Sequence, residues 1–310
     1  MATKFTVVNA TKKPTTKRTA AKSKIGQTFD QDQMHLIAKG KTKHDILKST
    51  INEALNNNTF NSNFVISSDP GLAKSYETKK ALAAKNDPNI LLLEGSASMP
   101  AFTIDVATAV YLAKGKHLTV VLDDCDMLFE DKNLNTAKKM FDDTRALKYN
   151  KNFRSLKSLC TDLQFEAIES FSSPDKAGFS VPLDNTTFVV LTNRRLPTIN
   201  QVDEQEGGTK KESKFTDLHA IRRRTEGESF TMETLELWGY VANIVLNEKI
   251  CEKFKPAISV EEKIQLLEWL HARWDRVTER NLSLVEKLTK DMVRYPTAYK
   301  DIWNKYLEVK

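Results

Sequence analysis

The sequence predicts an α/β fold: a parallel β-sheet sandwiched by helices, followed by a small all-α domain. Three observations lead there. Short apolar runs alternate with helical stretches through the first two thirds of the chain, which is the pattern of βαβ units. Those runs (Phe64–Ile66, Ile90–Leu93, Leu118–Leu122, Thr187–Thr192) are mostly continuous rather than alternating, as strands buried on both faces must be. After about Met232 only helical periodicity remains. A length of 310 residues suits about two domains.

The elements follow in order. Residues 1–28 are rich in Lys, Thr and Ala, hold no acid and show no apolar period, so they read as a disordered basic arm. The same composition resembles a transit peptide, but such peptides favour Arg and only Arg18 is present. From Asp45 the spacing of Ile46, Leu47, Ile51 and Leu55 predicts an amphipathic helix, ended by a polar turn at Asn56–Asn63. Between the four strands, helices are expected over Lys74–Ala84, Phe102–Ala113 and Thr136–Lys148. Gly207-Gly208, within the acidic-then-basic stretch Asp203–Lys214, marks a loop between the two halves. Leu235–Ile250, Val260–Thr278 and Leu282–Met292 then read as three helices, and a shorter segment closes at Trp303. Trp238, Trp269, Trp274 and Trp303 fall at core-like positions there. The expected division is an arm at 1–28, an α/β domain at 29–231 and a small helical domain at 232–310.

Composition narrows the function classes. Residues 1–50 carry eleven Lys/Arg and three acids, a net of +8, whereas the whole chain nets +6. The body is therefore close to neutral, and the basic excess belongs to the arm. No apolar run is long enough for a membrane helix or a secretion signal, so a cytoplasmic location without membrane partners is expected. Cys125, Cys160 and Cys251 have neither CxxC nor His-paired spacing, which argues against a disulfide framework and structural zinc. His117, His219 and His271 have no ligand spacing either, and Cys125 reads as a small buried hydrophobe.

Two motifs carry chemistry. Ser68-Asp69-Pro70-Gly71-Leu72-Ala73-Lys74-Ser75 follows a strand and opens a helix. It is similar to the phosphate-binding pattern G-x-x-x-x-G-K-[ST], with Ser68 and Ala73 in place of the two glycines. In that pattern backbone N–H groups cradle phosphates, the lysine reaches the β/γ-phosphates and the hydroxyl binds Mg²⁺. A plain strand-turn-helix capped by Asp69 fits the same residues. Leu118–Leu122 then runs into Asp123-Asp124-Cys125-Asp126. Carboxylates at such a strand end hold Mg²⁺ through water and activate an attacking water, or simply cap the next element. About fifty residues separate the two motifs, with one βα unit between, which is expected to set Lys74 and Asp123 on neighbouring edges bracketing Mg-ATP.

In this combination the chain resembles the AAA+ ATPases, over roughly residues 35–300. The resemblance implies a parallel P-loop NTPase sheet, with Phe188–Leu191 leading through Thr192 to Asn193 as the residue that senses the γ-phosphate. It implies an arginine finger in Leu218–Arg224, best matched by Arg224, acting on a neighbouring subunit's nucleotide. Arg222 and Arg223 stand beside it, and a solvated basic run fits the segment as well. Glu228–Met232 is similar to the strand before the lid. The cofactor-binding residues are then Ser68 to Ser75, the metal residues Ser75 and Asp123, and the catalytic residues Asp124, Asn193 and Arg224. Three features depart from the family: the replaced glycines, an Asp-Asp pair instead of Asp-Glu, and no sensor 2 arginine, with Arg280 just before Asn281-Leu282-Ser283-Leu284. Weak or partner-dependent hydrolysis follows from these.

The stretch between Asp126 and Asn193 exceeds what one helix needs. Phe165–Ser172 and Gly178–Leu183, flanking Pro174-Asp175, read as an inserted β-hairpin within about 150–185. Lys148, Lys151, Arg154 and Lys157 lead into it with Tyr149 and Phe153 interleaved, suited to phosphates and bases or else to a solvated helix face. The expectation is an ATPase that hydrolyses Mg-ATP as a homo-oligomeric ring or spiral, a hexamer in the family pattern. It would remodel or load DNA or a DNA-bound complex through the arm and the insertion. A chaperone-like member acting on protein partners is one alternative, and a nucleotide-dependent DNA-binding scaffold with little turnover is another. Small size, Asn/Lys-rich composition and degenerate motifs resemble phage or viral members.

Overall fold

The computed structural model describes residues 28–57, 62–173, 177–194, 218 and 220–308. The basic arm (all but Thr28), the Pro174-Asp175 turn, the Asp203–Lys214 loop and His219 lie outside the described residues. The strands are β1 (Phe64–Ser68), β2 (Ile90–Glu94), β3 (Leu118–Asp123), β4 (Ala146–Tyr149), β5 (Phe179–Pro182), β6 (Thr186–Thr192) and β7 (Ser229–Phe230). The helices are α1 (Gln31–Asn56), α2 (Lys74–Lys85), α3 (Met99–Ala113), α4 (Leu134–Phe141) and α5 (Asp162–Ser170), then α6 (Thr234–Asn247), α7 (Val260–His271), α8 (Leu282–Arg294) and α9 (Tyr299–Ile302).

Two compact units form: Lys43–Met232, and a second that joins the chain up to Thr42 with Glu233–Lys310. The first half of α1 therefore groups with the C-terminal helices, whereas the expected α/β domain began at residue 29; the boundary at Met232/Glu233 lies one residue from the expected 231/232. The helix is also longer than its apolar spacing suggested. A reciprocal cap starts it at Asp30, whose Oδ1 accepts the Gln33 N–H at 2.8 Å while Gln33 Oε1 accepts the Asp30 N–H at 3.0 Å.

The Lys43–Met232 unit is built on a parallel sheet of order β2-β3-β6-β1-β7. Every residue of β1, β3 and β6 is buried, which is why their sequences are apolar without alternation. Successive side chains nevertheless go to opposite faces. Phe64, Ile66, Val121, Val189 and Leu191 pack with Leu47, Ile51 and Leu55 of α1 and Ala81 and Leu82 of α2. Val65, Val120, Leu122, Phe188 and Val190 pack with Phe102, Ile104 and Val106 of α3 and with Ala137 and Met140 of α4. Each fully buried Val, Leu, Ile, Phe or Met among them contributes about 1.5–3 kcal/mol. The α/β sandwich expected from the strand pattern is thus present, with helices on both faces.

Two local expectations are corrected. The helix expected over Thr136–Lys148 stops at Phe141, and the chain turns through Arg145 in left-handed backbone (φ 38°) into β4. The buried Arg145 guanidinium donates to the carbonyls of Leu183 (3.2 Å) and Thr186, fixing that turn. Phe165–Ser172 is not a hairpin strand but mostly helix α5, started by a Thr161/Gln164 capping box. Its apolar spacing, Phe165, Ile168 and Phe171, is helical. The main partner of β5 is β4, antiparallel from Ala146↔Pro182 to Tyr149↔Phe179, and the expected hairpin is reduced to one antiparallel bridge, Ser172↔Phe179.

The other unit contains, among its described residues, helices, short turns and one β-bridge, Val277↔Leu307. Its four tryptophans are all buried, as expected from their positions. Trp274 Nε1 donates to Thr234 O at 2.6 Å and Trp303 Nε1 to Leu288 O at 3.1 Å. A close approach joins α1 to α6: a Cβ on Gly239 would stand 2.2 Å from Leu36 O, and one on Gly40 2.4 Å from the Gly239 backbone. No helix among the described residues is long and apolar enough to cross a membrane.

Candidate functional site

The C-terminal edge of the sheet gathers the polar residues singled out from the sequence. β1 ends at Ser68, and the loop Asp69–Ala73 leads into α2. Gly71 (φ 75°) and Ala73 (φ 64°) are both left-handed. Left-handed residues in a loop let successive N–H groups converge on an anion. The two glycine replacements therefore differ in kind. Ser68 is still in the strand and needs no special backbone, whereas Ala73 holds a glycine-type conformation at a cost of about 1–2 kcal/mol. Ala73, not Asp69, is the N-cap of α2, and it makes no side-chain cap hydrogen bond. Pro70 is exposed at the loop crest and Leu72 is buried beneath it.

Lys74 opens α2 and is 5% exposed. Its Nζ donates to Ser68 Oγ (2.5 Å), Asn193 Oδ1 (2.9 Å) and, more loosely, the carbonyls of Ser68 and Asp69 (3.3 and 3.5 Å). Burial pushes the ammonium below the usual lysine value, and Asp124, Asp123, Asp69 and Asp126 pull it back up. Ser75 Oγ donates to Asp123 Oδ1 at 2.7 Å. Asp123 closes β3 and is also 5% exposed. Burial raises its carboxyl pKa, the Ser75 bond lowers it, and the Asp124 charge raises it further. Asp124 is exposed and left-handed (φ 56°), with its N–H on Leu191 O at 3.1 Å and its Oδ1 accepting Asn193 Nδ2 at 2.8 Å. Asn193, one residue past β6, therefore spans Lys74 and Asp124.

Lys74 and Asp123 do not sit on neighbouring edges as expected, because β6 is inserted between β1 and β3. That order is what delivers Asn193 into the gap, while Ser75 reaches Asp123 from α2. Arg224 is not part of the cluster. It is exposed, donates from Nη1 to Ala220 O at 2.8 Å and acts electrostatically on Asp142. Arg222 is tied to Thr225 O and Gly227 O (3.3 and 2.8 Å). Arg280 bonds the carbonyls of Trp274 and Asp275 (2.6 and 2.7 Å).

Several partners escaped the sequence reading. Lys79, one turn beyond Ser75, pairs with Glu94, the register partner of Asp123 on β2. The i,i+4 spacing of Ser75 and Lys79 and the acid at the end of β2 were the available signals. His44 and Glu77, both buried, meet at 3.0 Å behind the first turn of α2. Cys125 is buried, as expected, and its Sγ donates to Gly95 O at 2.9 Å. Burial pushes its thiol up to about 11, so it is a structural group.

In the insertion, Lys148, Lys151, Arg154 and Lys157 are all exposed. Phe153 is buried, 6.1 Å from Phe165 and 6.4 Å from Phe179, so it is core rather than a stacking surface. Tyr149 stacks on Phe179 at 5.4 Å. No family model matches the chain, and no curated protein matches it.

Proposed function

We propose that this sheet edge binds Mg-ATP and that the chain is an ATPase of the AAA+ kind, acting as a homo-oligomeric ring or spiral on DNA or a DNA-bound complex. The observation that carries the reading is the convergence of three strand ends on one desolvated lysine. β1 supplies Lys74 through its loop, β6 supplies Asn193 at 2.9 Å, and β3 supplies Asp124, bonded to that Asn, with Asp123 beside it. A buried ammonium in the field of four aspartates has little structural reason to exist and is suited to meeting phosphate oxygens.

The donor set fits both groups. Ser75 and Asp123 offer hard oxygens already 2.7 Å apart, the ligand chemistry Mg²⁺ takes. The loop with left-handed Gly71 and Ala73 and the first turn of α2 offer N–H groups for phosphate. Bound Mg²⁺ would neutralise charge on the β- and γ-phosphate oxygens. Lys74 exchanges its Ser68 contact for phosphate, and Asn193 orients the reacting end. Asp124 takes the proton of the attacking water on a carboxylate oxygen. Arg224, free of the cluster in its own chain, serves a neighbouring copy. The four exposed cations of the insertion support a polyanionic partner.

Phosphate release from ATP, with and without DNA, tests the proposal in wild type, Lys74→Ala and Asp124→Ala. Turnover that survives both substitutions unchanged rejects it. Nucleotide binding with no turnover in any DNA condition marks a nucleotide-dependent scaffold instead.

A further inference from the structure

Asp126 enters the scheme above only as one of the charges around Lys74, yet it touches both residues that flank Asn193. Thr192 Oγ1 donates to Asp126 Oδ1 at 2.7 Å, and Arg194 Nε donates to Oδ2 at 3.0 Å. The Arg194 N–H then donates to Thr192 Oγ1 at 3.0 Å, and Arg194 Nη1 to Phe129 O at 3.0 Å. Both carboxylate oxygens are therefore occupied, and both neighbours of Asn193 are pinned to the turn that follows β3.

The arrangement matters because of where Asn193 sits. It lies just beyond the last residue of β6, outside the ladder that fixes Thr192, and its side chain is exposed. An untied residue at a strand end keeps backbone freedom that takes about 1–2 kcal/mol to freeze. Spanning Lys74 Nζ at 2.9 Å and Asp124 Oδ1 at 2.8 Å requires one backbone position and one amide orientation. Asp126 is 37% exposed and Arg194 40%, so the pair by itself adds little stability. Its consequence is geometric: it sets the direction in which the chain leaves β6.

We propose that Asp126 is a positioning residue for Asn193, clamping Thr192 and Arg194 so that the Asn193 amide is held between Lys74 and Asp124. Its kinetic consequence rests on the reading of this edge as an ATPase site; the geometric claim does not.

The test uses the full chain with two readouts. The first is the side-chain amide of Asn193 by ¹⁵N NMR, assigned by its disappearance in Asn193→Ala. In wild type two distinct amide protons are expected, the one donated to Asp124 being protected from exchange. In Asp126→Ala they move toward the free-amide position and the protected one exchanges about tenfold faster. Thr192→Val, which removes the same contact from the other side, gives the equivalent result where Asp126→Ala does not fold. An unchanged amide in a folded variant overturns the proposal.

The second readout is steady-state turnover. Asp126→Ala lowers kcat by about a hundredfold with KM for ATP unchanged, because Lys74 and Ser75 remain in place. Asp126→Asn recovers part of the loss, since its amide oxygen still accepts from Thr192. Adding Asn193→Ala to Asp126→Ala costs nothing further; fully additive losses overturn the proposal. A displaced amide in a protein with no wild-type turnover leaves the clamp standing and rejects the ATPase reading instead.

Discussion

Replacing Lys74 with methionine keeps an unbranched chain of similar length and removes only the charge and its donors. In the nucleotide-free protein the opposing effects are of similar size. The ammonium loses its bonds to Ser68 Oγ (2.5 Å) and Asn193 Oδ1 (2.9 Å), but it no longer has to be desolvated at 5% exposure. Folding stability should therefore change by about 1 kcal/mol or less. Nucleotide affinity has no such offset. A charge-assisted hydrogen bond to phosphate is worth about 1.5–3 kcal/mol, so Kd should rise about tenfold to 150-fold. The assay is titration of a fluorescent ATP analogue with Mg²⁺, alongside urea unfolding. A Kd within about twofold of wild type, at unchanged stability, would refute the assignment of Lys74 to phosphate. The same lysine has an alkaline signature. Its pKa is depressed in the fold, so between that value and 10.5 the unfolded chain holds the extra proton. Wild-type stability should consequently rise with pH through that window, and Lys74→Met should lack the rise.

Three further outcomes follow from the geometry. Asn193→Asp would set a second carboxylate 2.8 Å from Asp124 Oδ1, where an amide now donates; turnover should fall more than in Asn193→Ala, and the residual activity should shift to more alkaline pH, as pH–rate profiles would reveal. Gly239→Ala puts a methyl 2.2 Å from Leu36 O, so α1 and α6 must part, costing about 1–3 kcal/mol in urea denaturation, whereas Gly95→Ala meets no atom within 4 Å and costs only its left-handed strain. Arg224→Ala should leave ATP binding unchanged and abolish turnover, and mixing it with Lys74→Ala subunits should restore part of the activity, because each variant supplies what the other lacks at a shared interface; unchanged turnover in Arg224→Ala alone would remove the finger assignment.

Much of the site was legible because its residues occupy the ends of apolar strands. A run such as Leu118–Leu122 must be buried, so the first charged residues after it, Asp123 and Asp124, have to lie at the sheet edge. Lys74 came instead from the phosphate-binding pattern after the Phe64–Ile66 strand, and Asn193 from the resemblance to the AAA+ ATPases. Misreadings arose where a local pattern had two solutions. Phe165, Ile168 and Phe171 are spaced for a helix, and the Thr161/Gln164 capping box marks its start, but their apolar and aromatic content also suits a strand. Phe153 among four cations looked like a stacking surface, and only its contacts with Phe165 and Phe179 reveal a core residue.

By itself, the sequence determined the α/β class, the strands that build the sheet and the short list of polar residues at their ends. Those features are set by hydrophobic period and by the need to keep charge out of a two-faced core, both readable within a few residues. Tertiary structure alone decided that β6 lies between β1 and β3, that Ala73 and Asp124 take left-handed backbone, and that Asp126 holds Thr192 and Arg194. The strand order and the Asp126 contacts depend on pairings between segments some 66 to 125 residues apart. Strand order is a choice among arrangements that bury the same side chains about equally well, so local pattern cannot select it, whereas the completed sheet places Asn193 within 2.9 Å of Lys74.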